Sequence, residues 1–204
     1  MDGDPSLDGA HDADPIRWFS SVFARAQQSE PFDPARAALA TVDPSGAPSV
    51  RFVLVKDVSE EGFTFYTNLH SPKAKHLSTA PRAALAYHWH TLSLQVRVEG
   101  SVEPIDDAVA DAYFASRPRE SQLGAWASDQ SAPIADAEAL RDKLSEVEQR
   151  YAEAADVPRP PHWSGLRVVP ATIEYWLSQT GRMHDRWRFE RAADGPWQRT
   201  RLQP

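Results

Sequence analysis

What most constrains this chain is a succession of short alternating segments, each closed by a turn signal. "AALATV" runs into "DPSG" and then "SVRFVLVKDV", and "GFTFYTN" follows the turn "SEEG". "RAALAYHWH" and "LQVRVEGSVEPI" come next, and "LRVVPATIEYWLS", "RWRFERA" and "WQRTRL" finish the chain, the last two joined by "ADGP". Side chains on a strand point to opposite faces in turn, so apolar residues at alternate positions read as half-buried strands. Six or seven such strands closing on themselves predict a mainly β protein, a small barrel with peripheral helices. Gly100 inside "LQVRVEGSVEPI" predicts a bulge or bend. Helical spacing is confined to four stretches: residues 15–29, "SPKAKHLSTAP", "DDAVADAYFASRP" and "APIADAEALRDKLSEVEQRYAEA".

With 204 residues the chain is long enough for one domain with a sizeable core. No apolar run approaches the length of a membrane span. The absence of cysteine removes disulfides, thiolate metal sites and a cysteine nucleophile, and fits a cytoplasmic protein. The net charge of −7 is concentrated at the start, where Asp2, Asp4, Asp8, Asp12 and Asp14 stand without a lysine or arginine. Residues 1–14 are therefore expected to form a disordered acidic tail, and residues 15–204 a single domain. The remaining chain carries only about −2, so local basic clusters show through, but nothing in these totals favours a nucleic-acid partner.

The most unusual cluster is "GRMHDRWRFER", residues 181–191, with four arginines and a histidine. Read as a strand, it places Arg182, His184, Arg186 and Arg188 on one face, and Met183, Trp187 and Phe189 with Asp185 on the other. Three further clusters stand at Arg51 and Lys56, at Lys73 and Lys75, and at Arg117 and Arg119, each close to Ser, Thr or Tyr hydroxyls. Any one alone reads as solvated surface. Together they supply what phosphate monoesters need, directed donors and positive charge, and two sets would suit two phosphorylated ligands. The dinucleotide, P-loop and H-E-x-x-H signatures are missing. His88 and His90 flank a tryptophan on a strand, which reads as packing and surface rather than metal ligation. Trp89 and Trp126 read as core.

The segments "RFVLVK", "FYTN", "SPKA", "WHTLSLQVRVEG", "YFASRPRESQLGAWASDQS", "IEYW" and "RMHDR" occur in this order over residues 37–204. In them the chain resembles the pyridoxamine 5′-phosphate oxidase family. The resemblance implies an FMN-binding split barrel, a homodimer with FMN at the subunit interface. It further implies conversion of pyridoxamine and pyridoxine 5′-phosphates to pyridoxal 5′-phosphate. In that reaction a hydride passes from C4′ to flavin N5, and O2 reoxidises the flavin to give hydrogen peroxide. By the same resemblance Arg51, Lys56, Tyr66, Thr67, Lys73, Gln95, Gln130, Ser131, Trp176 and Arg186 are expected to contact FMN. Lys56, Tyr113, Arg117 and Ser121 are expected to hold the substrate phosphate, and Arg182 and His184 to stand beside the substrate ring as the catalytic pair.

Two positions depart from the family pattern. Pro72 stands where an arginine usually precedes the lysine, and Leu94 where an arginine often precedes the glutamine. Loss of one charge-assisted bond costs roughly 1.5–3 kcal/mol, so FMN is expected to bind more weakly unless His70 or Lys75 compensates. Alternative readings are an oxidase of the phenazine-pathway type, a deazaflavin reductase on the same barrel, and a carrier that holds FMN or pyridoxal phosphate without turnover.

Overall fold

The computed structural model describes residues 14–192 and 195–204. The expected acidic tail lies outside these residues except for Asp14, which is a helix cap rather than tail. Its Oδ1 accepts from Ile16 N at 2.9 Å, opening helix α1, Pro15–Ser29, with Pro15 in the first turn. The buried face of α1 carries Ile16, Phe19, Val22 and Ala26, as its spacing predicts. Phe19 meets Phe63 and Tyr87 edge-on at 5.0 and 5.1 Å. Trp18 stacks on Tyr175 at 3.7 Å, and the Tyr175 hydroxyl donates to Pro15 O at 2.7 Å.

Among the described residues, eight strands form one antiparallel sheet: β1 Arg36–Val42, β2 Pro48–Ser59, β3 Gly62–Asn68, β4 Arg82–Trp89, β5 Leu94–Pro104, β6 Trp163–Leu177, β7 Asp185–Glu190 and β8 Gln198–Leu202. The order is β3-β2-β1-β4-β5-β6-β7-β8, and β3 also pairs with β6. Six strands therefore close into a barrel, and β7 and β8 extend the sheet beyond it. Closure follows from β6, which has 15 residues. Its first part pairs with β3 (Phe63 opposite Val168) and its last part with β7 (Trp176 opposite Arg186), while β5 runs along its other edge. The register slips between Glu99 and Gly100, as expected of a bulge. A Cβ at Gly100 would stand 1.9 Å from Val169 O, so only glycine allows the strands to approach here.

Leu39, Leu85, Val96, Val98, Phe65 and Ile173 fill the barrel and are completely buried. Trp89 lies in this core as expected. Helix α2, Pro72–Thr79, ends before Pro81. Helices α3 Asp107–Ser116, α4 Arg119–Ala127 and α5 Ala137–Arg150 pack outside the barrel around a second cluster of Phe114, Leu123, Tyr151, Val157 and Trp163. Trp126, read as core, is only half-buried: it packs against this outer cluster and donates its indole N–H to Pro158 O at 2.8 Å. Helix α4 was not expected from the pattern. "RESQLGAWA" has only two fully buried apolar residues, Leu123 and Ala127, too few for a visible stripe. No helix of the described residues is long and apolar enough to cross a membrane.

The strand expected over 181–191 begins only at Asp185. Thr180–Arg182 form a single 3₁₀ turn, and Gly181 and Arg182 have φ of 65° and 61°. Two successive left-handed residues cannot continue a pleat. Alternation therefore holds from Asp185 onward, with Phe189 buried and Arg186 and Arg188 on the opposite face, but it does not set Arg182 or His184.

Candidate active site

A cleft of about 420 Å³ is bounded by β2, the end of β3 and the connections around α3 and α4. Lys56, Tyr66, Thr67 and Lys73 line it, together with Tyr113, Arg117, Ser121 and Gln130. Eight of the residues picked out in the sequence are thus brought together, from segments up to 74 positions apart.

One end of the cleft is a cluster of uncharged acceptors around a cation. Lys73 Nζ donates to Gln130 Oε1 at 2.6 Å and to Thr67 Oγ1 and Ser71 Oγ, both at 3.2 Å. Burial, and then the nearby charge of Arg51, lower the Lys73 pKa to about 8. Arg51 is held from below: Nη1 donates to Leu39 O (3.1 Å) and Thr41 Oγ1 (2.7 Å), and Nη2 to Ser49 Oγ (2.7 Å). Burial lowers the Arg51 pKa as well. Ser71 occupies the N-cap of α2 but makes no capping bond, so the first turn of α2 presents open N–H groups beside Lys73. Pro72, which replaces the expected arginine, sits in that first turn, where its missing N–H costs nothing. Lys75 and His70 are exposed, and His70 faces His162 at 5.6 Å between ring centres, so neither joins the cluster.

The other end is aromatic. Tyr66 stacks on Tyr113 at 3.9 Å and on Trp163 at 5.1 Å. The Arg117 guanidinium lies 4.8 Å from the Trp163 ring and 5.4 Å from that of Phe114. Its Nη1 is enclosed without a hydrogen-bond partner among the described residues, and burial lowers the Arg117 pKa. A buried, unpaired guanidinium N–H is costly, and the cleft in front of it is the place where an anion would satisfy it. Burial raises the pKa of both Tyr66 and Tyr113, which keeps their hydroxyls as donors. Lys56 leans to Asp33 at 3.7 Å.

The remaining predicted residues lie elsewhere. Ser131 follows Gln130, is exposed and has φ of 69°. Gln95 pairs with Trp176, and Trp176 with Arg186, at the far end of β6. The His184 ring lies 4.4 Å from that of Trp176, and its Nδ1 accepts from Gln179 N at 3.2 Å. Arg186 was expected to reach a ligand. In this structure its Nε and Nη2 donate to the buried Glu174 Oε1 at 3.1 and 2.7 Å, and its Nη1 to Gln203 O at 3.0 Å. Trp163 and Trp176 mark the two ends of β6. At about 3.3 Å per residue, roughly 43 Å of strand separates them. The predicted residues thus fall into two groups, one lining the cleft and one near the far end of β6. Leu94 is buried in the barrel core and faces away from either set.

Sequence reasoning missed Thr41, Ser71, Phe52 and Trp163. Ser71 was visible inside "SPKA", but Thr41 and Trp163 reach the site only through strand register, which no local pattern encodes.

Residues 26–151 match the family described as pyridoxamine 5′-phosphate oxidase, and residues 163–204 the pyridoxine 5′-phosphate oxidase C-terminal dimerisation region. The pyridoxine/pyridoxamine 5′-phosphate oxidase of Brucella anthropi is 49% identical over 200 residues, covering 98% of both chains. The protein of the same name from Brucella melitensis is equally similar. Among solved structures, PhzG from Burkholderia lata in complex with tetrahydrophenazine-1-carboxylic acid aligns over 100% of this chain and 98% of its own. The TM-score is 0.89 and the identity 27%. A pyridoxamine 5′-phosphate oxidase-related, FMN-binding protein from Nostoc punctiforme shares the fold, with a TM-score of 0.74 at 18% identity over 94% of this chain and 98% of its own. On its sequence and its fold alike, the chain belongs to the pyridoxamine 5′-phosphate oxidase family.

Proposed function

We propose that this chain is an FMN-dependent oxidase of pyridoxamine 5′-phosphate and pyridoxine 5′-phosphate, forming pyridoxal 5′-phosphate as a homodimer with FMN at the subunit interface. The observation that carries this reading is the placing of two cationic groups along one cleft, Lys73 with its hydroxyl neighbours and Arg117 with an enclosed Nη1 that has no partner among the described residues. The first suits a flavin phosphate: an ammonium, the Thr67 and Ser71 hydroxyls, the Arg51 guanidinium and a helix N-terminus converge there. The second suits a substrate phosphate, with Arg117 as the fork and Ser121, Tyr113 and Lys56 as further donors. When bound, FMN supplies a hydride acceptor at N5 that dioxygen regenerates with release of hydrogen peroxide.

The substrate phosphate is remote from the reacting C4′, so its binding serves to orient the ring. Arg182 and His184, with Gln95, Trp176 and Arg186, would come from the second copy, because they stand at the other end of β6. His184 accepts from Gln179 N at Nδ1, which leaves the proton of the neutral ring on Nε2. Trp176 fixes the ring plane. Arg182 is held by an unfavourable left-handed backbone, a feature that clusters at working sites.

A second reading, an oxidase of a phenazine precursor, is favoured by the fold match to PhzG, a protein seen with a carboxylic acid rather than a phosphate ester. The Arg117 station and the higher identity to the Brucella oxidases weigh against it. The deciding experiment reconstitutes the protein with FMN and adds pyridoxine 5′-phosphate in air. Aldehyde and peroxide should appear in equal amounts, and His184→Ala should lower turnover at least about tenfold with FMN binding unchanged. Bound flavin without aldehyde from either B6 phosphate would favour the second reading, or a carrier.

The Lys73 pKa of about 8 gives a pH signature. Above that pH the free site loses a positive charge, so FMN affinity should fall by roughly tenfold between pH 7.5 and 9.5. Folding of the apoprotein responds in the opposite sense. The folded pKa lies below the unfolded value of 10.5, so between the two the unfolded chain binds the extra proton. This contribution to stability therefore rises with pH over that window. Lys73→Met should remove both trends in a flavin titration and a thermal melt run across the same pH range.

A further inference from the structure

The barrel wall behind the Lys73 cluster carries a residue that the proposed chemistry does not use. His76, on α2, places Nδ1 at 3.1 Å from Thr41 Oγ1, and the same oxygen accepts from Arg51 Nη1 at 2.7 Å. Thr41 is buried, with 1% of its surface exposed, so no solvent competes for that hydroxyl. A hydroxyl has one proton and two acceptor lobes. Arg51 only donates, so the Thr41 oxygen must turn a lone pair toward it. The Thr41 proton is then free for one partner, and His76 Nδ1 is in place to accept it. This arrangement requires the neutral tautomer with the ring proton on Nε2. His76 thus locks the Thr41 rotor in the sense that Arg51 needs.

Arg51 has five N–H donors. Those on Leu39 O, Thr41 Oγ1 and Ser49 Oγ account for three, which leaves Nε and one Nη2 hydrogen for a ligand. These three bonds decide which edge of the fork stays free. If Thr41 rotates, its O–H meets Arg51 donor to donor and the fork loses its anchor.

We propose that His76 is a positioning residue for the phosphate station: acting through Thr41, it fixes the Arg51 fork so that its free edge meets the phosphate of the bound cofactor. This rests on the reading of that station as the FMN phosphate site. It also supplies, from the wall behind, order that a second arginine at position 72 would supply from the front.

The test compares FMN with riboflavin, which has the same ring and no phosphate, by flavin fluorescence in the purified full chain. His76→Leu should weaken FMN binding about three- to tenfold and leave riboflavin binding within twofold of wild type. His76→Asn, whose amide oxygen can take the place of Nδ1, should restore FMN binding. Thr41→Val, which keeps the shape and removes the hydroxyl, should reproduce the loss, and adding His76→Leu to it should cost nothing more. Equal weakening of FMN and riboflavin, or additive losses in the double variant, would make His76 a merely structural residue and overturn the proposal. Wild-type protein that prefers riboflavin to FMN would instead overturn the cofactor reading, and the proposal with it.

Discussion

Phe52→Asp should leave a folded monomer that neither retains FMN nor oxidises pyridoxine 5′-phosphate. Phe52 is 71% exposed and Val50 69%, in the middle of a twelve-residue strand, and Leu54 continues the row. An apolar row on an open strand face marks an interaction surface. Phe52 lines the cleft, and it also lines the neighbouring opening that contains Gln95. It therefore stands between the two groups of predicted residues. Burying a phenylalanine contributes about 1.5–3 kcal/mol, and in a two-fold dimer each change counts twice. Loss of both rings alone should weaken association by roughly 10²–10⁴-fold, and a desolvated aspartate adds to that. Sedimentation velocity and flavin fluorescence on the same sample check both halves of the result. The melting temperature of the apo monomer should hold, because Phe52 is no part of the barrel core. A dimer with full activity would show that this face is not the one that completes the site.

The second large effect is expected at Arg117. Arg117→Ala should lower kcat/KM for pyridoxine 5′-phosphate by about 10- to 150-fold, the equivalent of 1.5–3 kcal/mol, mainly through KM. Unphosphorylated pyridoxine provides the control. It lacks the group that Arg117 would hold, so wild type and variant should use it equally poorly. Arg117→Lys should recover only part of the loss, since an ammonium has neither the planar fork nor the stacking on Trp163. Steady-state kinetics with the two substrates decide the matter: an equal loss on both would assign Arg117 to the shape of the cleft instead. The apoprotein should tolerate the change, because it also removes an enclosed N–H that has no partner.

The strands were legible because a barrel with one wet face writes its period into strands such as β1, β4 and β5. "RAALAYHW" alternates in burial over its whole length in the folded protein. Even the bulge showed, since a glycine inside such a run has few other uses. Helix α4 did not show, because it buries too little of one face to leave a stripe. The segment around Arg182 misled for a different reason. Its composition alternates, but Gly181 permits a left-handed turn, and one such turn outweighs the pattern of its neighbours. The cations of the site were legible as clusters. Their partners were not: Thr41, Glu174 and Trp163 find Arg51, Arg186 and Arg117 through register across strands and packing between layers. The direction of Arg186, toward Glu174 and Gln203, is likewise a product of pairing between β6 and β7.

The length of β6 has a genetic consequence. Because its two ends serve different sites of the proposed dimer, a lesion at Arg117 and a lesion at His184 damage different halves. Two alleles, each inactive by itself, would complement one another when expressed together. Every mixed dimer would carry one doubly damaged site and one intact site, and random mixing would return about a quarter of the normal number of sites. Two lesions at the same end of the strand would never do so, which makes the fold itself readable from a cross.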